Sequence, residues 1–175
     1  IEFFTLMPPR VLSIGANELR KLLLGFFATN VGQFGFLIMH LALTLMVIPI
    51  RFFGVPISQA SLPFLSEEAS EEKRDRFRGL VLQSLHQIAF LAYPASVLLL
   101  ILRLPAVRLV FGTANFPWEQ TRATAQLVAF LALSVTAQAL VQLLIRAFYA
   151  LKDTVTPLMI SAFDVVFYAA LVSGL

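Results

Sequence analysis

Cysteine is absent from this chain. Its absence excludes a disulfide framework, thiolate metal sites and a cysteine nucleophile. Histidine is nearly absent, and His40 and His86 stand far apart, which leaves little for a metal site. Charge is scarce as well, at 13% of residues, against about 25% in a soluble domain. There is no Ser/His/Asp spacing, no carboxylate pair inside an apolar run and no glycine-rich phosphate loop. The chain therefore does not read as an enzyme, and neither a cofactor nor a metal is expected.

Long uncharged runs take the place of all this. Leu22–Ile50, Phe52–Ser66, Gly79–Leu102 and Ala123–Ile145 contain no Asp, Glu, Lys or Arg. A helix needs about 20 apolar residues to cross the hydrocarbon core. Three runs reach that length, and the fourth continues the first through Arg51. Mean hydropathy is +0.85, and the 17 phenylalanines suit lipid-facing helices. The sequence predicts an integral membrane protein: an all-α, polytopic bundle of transmembrane helices. The net charge of +3 comes from basic residues at span ends. Loop topology and anionic membrane lipids account for them better than nucleic acid does.

Five spans are expected, at about Pro9–Ala28, Gln33–Leu65, Gly79–Leu104, Arg122–Leu151 and Pro157–Leu175, the last one cut off. Pro49, Gly54, Pro56 and Pro63 should kink or break the second, and Pro94 should kink the third. Ser66–Arg78 is expected as a solvated loop. Leu104–Thr121 is expected as an interfacial segment, with Trp118 at headgroup level. Thr156-Pro157 has the look of an N-cap followed by proline at the first helical position. Arg10, Lys73, Arg74, Arg76, Arg78, Arg146 and Lys152 gather on one side, against Arg103, Arg108 and Arg122 on the other. That bias puts the Ser66–Arg78 loop in the cytoplasm. The first residue is not Met and the last lies in an apolar segment, so a piece of a longer protein is expected. The opening IEFFTLMPPR has no charged start and no small-residue cleavage site, unlike a signal peptide.

Polar residues inside the spans are the candidates for function. In the first span Ser13, Asn17, Glu18, Arg20 and Lys21 share an arc of about 160°. A lipid-facing charge costs about 2.5–3.5 kcal/mol. This arc should therefore face a cavity or partner helices, unless the helix lies flat on the membrane surface. Glu18 and Lys21 can pair; Arg20 remains for an anionic ligand. In the second span Gln33, His40, Thr44, Arg51 and Ser58 fall within about 40° on a regular helix. Such a stripe resembles a cavity wall. Arginine suits phosphate because its planar fork bonds two oxygens at once. Snorkelling of Arg51 to the interface is the plainer alternative. For His40 the plainer alternative is a bond to a neighbouring helix. His86, Gln83 and Gln87 read as interfacial packing.

Several stretches carry a family resemblance. Arg146–Pro157, RAFYALKDTVTP, resembles the RAFYxxxDTxTP turn of the MurJ/MviN family, the lipid II flippases of the multidrug/oligosaccharidyl-lipid/polysaccharide exporter superfamily. PIRFFGVPISQASLPFLS, FLAYPASVLLLILRLPAVRLVFGTANF and PPRVLSIGANEL are similar to further family segments, in the same order. The resemblance implies the seventh to eleventh helices of a fourteen-helix transporter, with the first lobe missing. It implies alternating access in a bacterial inner (plasma) membrane, with a lipid-linked pyrophosphoryl saccharide (lipid II) as substrate. The family's seventh and eighth helices help line a central cationic cavity for the pyrophosphate. That makes Arg20, Lys21, Arg51, Thr44, His40, Glu18 and Asn17 the substrate-binding candidates here. One departure stands out. The family usually has an arginine at the position of Thr44, and mostly neutral residues at those of Arg20 and Lys21. The resemblance thus leaves room for relocated charge, for another polyprenyl-linked saccharide, or for a non-transporting scaffold for cell-wall enzymes.

Overall fold

The computed structural model describes residues 34–70, 73–112 and 116–173, together with positions 15, 18, 19, 22, 25 and 26. Among the described residues all regular structure is helical. The expected first span and Gln33 lie mostly outside them; positions 15, 18, 19, 22, 25 and 26 are helical.

The second span is one continuous helix whose middle turn is wide. Helix α1 (Gly35–Pro49) passes through a π-helical turn (Ile50–Gly54) into α2 (Val55–Glu67). The prolines do not break it. Pro49 lacks an N–H and its ring crowds the carbonyl four residues back. The turn that follows is wide: the Val55 N–H bonds the Ile50 carbonyl, five residues back. Pro56 falls in the first turn of α2.

Helix α3 (Arg74–Ile101) starts earlier than expected and absorbs the basic end of the charged island. Pro94 lies inside it without ending it. Glu68 and Lys73 pair across the short link, 3.4 Å apart. The expected interfacial segment contains a helix of its own, α4 (Arg103–Phe111). Gly112 closes α4, and its N–H bonds the Arg108 carbonyl at 2.8 Å. A Cβ at Gly112 would lie 2.1 Å from that oxygen, so glycine alone fits. Helix α5 (Trp118–Ala150) begins with Trp118 as its first residue, behind an extended Pro117.

Helix α6 (Val155–Ser173) begins two residues before Pro157, and the cap differs from the sequence expectation. Asp153, not Thr156, caps it: Oδ1 accepts from the Val155 and Thr156 N–H groups, each at 3.0 Å. Oδ2 accepts from Thr156 Oγ1 at 2.6 Å. These bonds favour the carboxylate and hold Asp153 below the ordinary aspartate range. The end of α5 is closed by the reciprocal pair of a Schellman motif. The Lys152 N–H bonds the Tyr149 carbonyl, and the Asp153 N–H bonds that of Phe148, each at 3.0 Å. Lys152 takes the left-handed position, at φ 59°.

Helix α5 is the centre of the bundle. Its buried residues recur every three or four positions, and Ala125, Ala132 and Ala139 stand seven apart. Small residues let neighbouring backbones come close, which is how helices associate where lipid gives no hydrophobic drive. At Gly54 a Cβ would lie 3.0 Å from Ala139. Ser96 donates to the Ala132 carbonyl, and the Ser61 and Ser84 hydroxyls meet at 3.0 Å. One core cluster joins Leu65, Ile88 and Leu143 near the α2–α3 link and the α5–α6 turn. Another joins Ala42, Val107 and Val128 at the α4 end. Met46, Ile50 and Val135 fill the middle.

The outer faces are apolar: Phe90 is 79% exposed, Leu109 88% and Phe163 72%. Large apolar side chains cover the outside as well as filling the core, unlike the surface of a water-soluble bundle. Gly35–Glu67, Arg74–Ile101 and Trp118–Ala150 are each long and apolar enough to cross a membrane. The fold is an all-α transmembrane bundle.

Candidate functional site

The α1–α2 helix has two unlike faces. Ala42, Leu45, Met46, Ile50, Gly54, Ser58 and Leu65 are buried. His40, Thr44 and Arg51 are exposed. The sequence stripe therefore splits. His40, Thr44 and Arg51 share the outer face, while Ser58 sits in the packed face and donates to the Gly54 carbonyl. The reason is the π turn between Arg51 and Ser58. It holds more residues per turn than a regular helix, so the 100° spacing fails across it.

The outer face is ordered by its own contacts. The Phe36 and His40 rings stack, with centroids 6.1 Å apart and planes 14° from parallel. Thr44 Oγ1 donates to the His40 carbonyl at 2.8 Å, which engages its hydroxyl on the helix backbone. Arg51 stands a further seven residues along, about 10 Å by helical rise. A Cβ at Gly25 would lie 3.3 Å from the Phe36 ring, so the preceding segment meets α1 there. Glu18, in that segment, is helical and exposed. Asn17, Arg20 and Lys21 lie outside the described residues, and so does the expected Glu18–Lys21 pair.

A polar cluster that sequence reasoning missed braces the inner face. Gln138 Nε2 donates to Ser134 Oγ at 3.0 Å and approaches Met46 Sδ at 3.5 Å. Ser134 Oγ donates to the Leu131 carbonyl at 2.7 Å. Two polar residues four apart in an uncharged run were the available signal, since they share a helix face. The Arg108 guanidinium lies over the Trp118 ring, 5.1 Å from its centroid, and Nη1 reaches the Phe116 carbonyl at 3.4 Å. Arg108 thus ties α4 to the start of α5. His86, Gln87, Ala89, Phe90 and Tyr93 line an open hollow on the surface of α3 alone. Among the described residues no group of three His, Cys, Asp or Glu is placed to hold a metal.

The arrangement can offer a guanidinium, an imidazole and an aromatic ring on one side of an apolar helix. A guanidinium in such a setting suits an anion.

The family model described as lipid II flippase MurJ matches residues 1–175. The chain is 24% identical over 165 residues to a protein of Bdellovibrio bacteriovorus named probable lipid II flippase MurJ, covering 94% of this chain and 32% of that one. A protein of the same name from Thermotoga maritima is 28% identical over 171 residues, covering 86% and 35%. One from Vibrio cholerae is 24% identical over 158 residues, covering 90% and 30%. The chain spans about a third of the length of these relatives. No solved structure matches it significantly.

Proposed function

This chain belongs to the MurJ family of lipid II flippases, and on that footing we propose that it forms most of the second lobe of a lipid II flippase. The transporter works in the bacterial inner membrane, by alternating access of two lobes around a cationic cavity. The first lobe, supplied by the rest of the same chain, completes the cavity. The observation that carries this reading is Arg51. It is exposed, on the outer face of a helix whose uncharged run it alone interrupts.

The substrate pyrophosphate sits on Arg51, with Arg20 and Lys21 supplying further charge from the first span. His40 and Asn17 hydrogen-bond the headgroup. Thr44 marks the level where the family arginine is replaced, and Glu18 balances Lys21. The lipid tail stays in the bilayer, against the apolar outer faces. No bond is made or broken, so the protein is not an enzyme. It needs no cofactor, and nucleic acid is not a partner. The test is complementation: the full-length protein is expressed in a bacterium depleted of its own lipid II flippase. Rescue is expected. Arg51→Ala with near-normal flipping would sink the assignment of the phosphate to Arg51.

One observation favours a second reading. Thr44 carries no charge, and its hydroxyl is engaged on the backbone. A flippase for another polyprenyl-linked saccharide would need a different cation pattern at this level. Failure to rescue, with the protein present in the membrane, would favour that reading or a scaffold for cell-wall enzymes.

A further inference from the structure

We propose that the Ile50–Gly54 π turn acts as a one-residue insertion, and that this extra residue turns His40, Thr44 and Arg51 away from α5. The turn is thereby a positioning element for the proposed phosphate site. Its purpose rests on the reading above; its geometry does not.

Upstream of the turn, Ala42, Leu45, Met46 and Ile50 are buried. Downstream, Gly54, Ser58 and Leu65 are buried. Each set fits one face of a regular helix. Carried through at 100° per residue, however, the two sets would point about 120° apart. They face the same neighbour because the wide turn absorbs one extra residue, worth about 100° of rotation. Without that absorption, and with Ser58 kept in the packed face, His40, Thr44 and Arg51 would lie within about 40° of it. The arginine would then press into the alanine seam of α5, as a buried charge with no partner among Ala132, Val135 and Ala139.

Two residues fix the turn in place. Pro56, just past the turn, has no N–H for the Phe52 carbonyl and its ring crowds that oxygen, so the regular ladder already lacks a bond there. Gly54 admits α5 so closely that a Cβ would meet Ala139 at 3.0 Å. The downstream half therefore cannot rotate to repair the phase. Pro56 and Gly54 position Arg51 without touching substrate.

Removing one residue from the turn leaves a regular α-helix whose two halves keep their phase. Phe52 and Phe53 are adjacent, so deleting either yields the same chain. In a helix regular throughout, the same deletion would rotate everything upstream by about 100°.

The experiment uses the full-length protein in membranes, with cysteines elsewhere removed. Met46 and Val135 share a packed cluster, so Met46→Cys with Val135→Cys is one oxidative cross-linking pair. Thr44→Cys with Val135→Cys is the other. Each pair is tested with and without the phenylalanine deletion. The Met46 pair is expected to cross-link equally in both chains, and the Thr44 pair in neither. Cross-linking of the Thr44 pair in the undeleted chain overturns the proposal. So does a change of partner on deletion, or loss of the deleted chain from the membrane. Flipping by Arg51→Ala is read separately. Normal flipping there, with unchanged cross-links, removes the phosphate reading and leaves the phase of the helix standing.

Discussion

Along the helix from Gly35 to Glu67, the face turned toward α5 and the face turned away are built from different chemistry. The inner face uses Ala42, Gly54 and Ser58 to bring backbones together. The outer face carries His40, Thr44 and Arg51 beside Phe36 and Phe52, which are 53% and 71% exposed. One face is made by removing side-chain volume; the other is made by displaying it. A change on the first should be felt in assembly, and a change on the second in transport.

Gly54→Leu should break the comparison most severely. Overpacking a tight site costs about 1–3 kcal/mol or more, and here the obstacle is the backbone of Ala139. The expected outcome is a large fall in the thermal midpoint of the full-length protein in detergent, with little protein in the membrane. Arg51→Ala should do the reverse. Charge-assisted bonds to phosphate contribute about 1.5–3 kcal/mol, which corresponds to a loss of about ten-fold or more in flipping. The thermal midpoint and membrane level should stay at the parent values. A matching fall in both readouts would mean that Arg51 is structural and the two faces are not separate.

Asp153→Ala tests a region that should follow the inner-face rule. It removes the acceptor for two N–H groups and for Thr156 Oγ1, so the midpoint should fall, by less than for Gly54→Leu. Because its folded pKa is lowered, the stabilisation is present at neutral pH. It is lost only as pH falls through that lowered value. A midpoint insensitive to acid in this range would show that the cap carries little. Ser58→Ala should have the smallest effect. Its hydroxyl bonds only the Gly54 carbonyl four residues back, so a shift of at most a degree or two is expected for a loss of about 0.5–1 kcal/mol. Flipping should be unaffected, and a transport defect would return Ser58 to the functional face.

The helices were legible because charge is rare. Uncharged runs located the three long helices to within a few residues, and the RAFYALKDTVTP turn located the start of α6. What stayed hidden depended on backbone choices that side-chain periodicity does not encode. Pro49, Gly54, Pro56 and Pro63 announce a disturbance but not its form, since a kink and a π turn both accommodate a proline. Ser58 therefore lies in the packed face, while His40, Thr44 and Arg51 are exposed. Asp153 was overlooked as a cap because Thr156-Pro157 offered a plausible cap two residues into the helix. Gln138 and Ser134 were hidden by their surroundings: two polar residues in a long apolar run look solitary until their helix face is known.

The turn between α5 and α6 carries a consequence for the order of events during synthesis. The bonds that close one helix and open the next join residues from Ala147 to Thr156. Asp153 serves both sides of it, since its N–H closes one helix and its carboxylate opens the next. A short loop has little closure entropy to overcome. The reversal of direction is therefore set as soon as this segment has been made, before most of α6 exists. The packing of α3 on α5, by contrast, joins residues far apart in the chain, such as Ser96 and Ala132. That step must wait until both helices are in place.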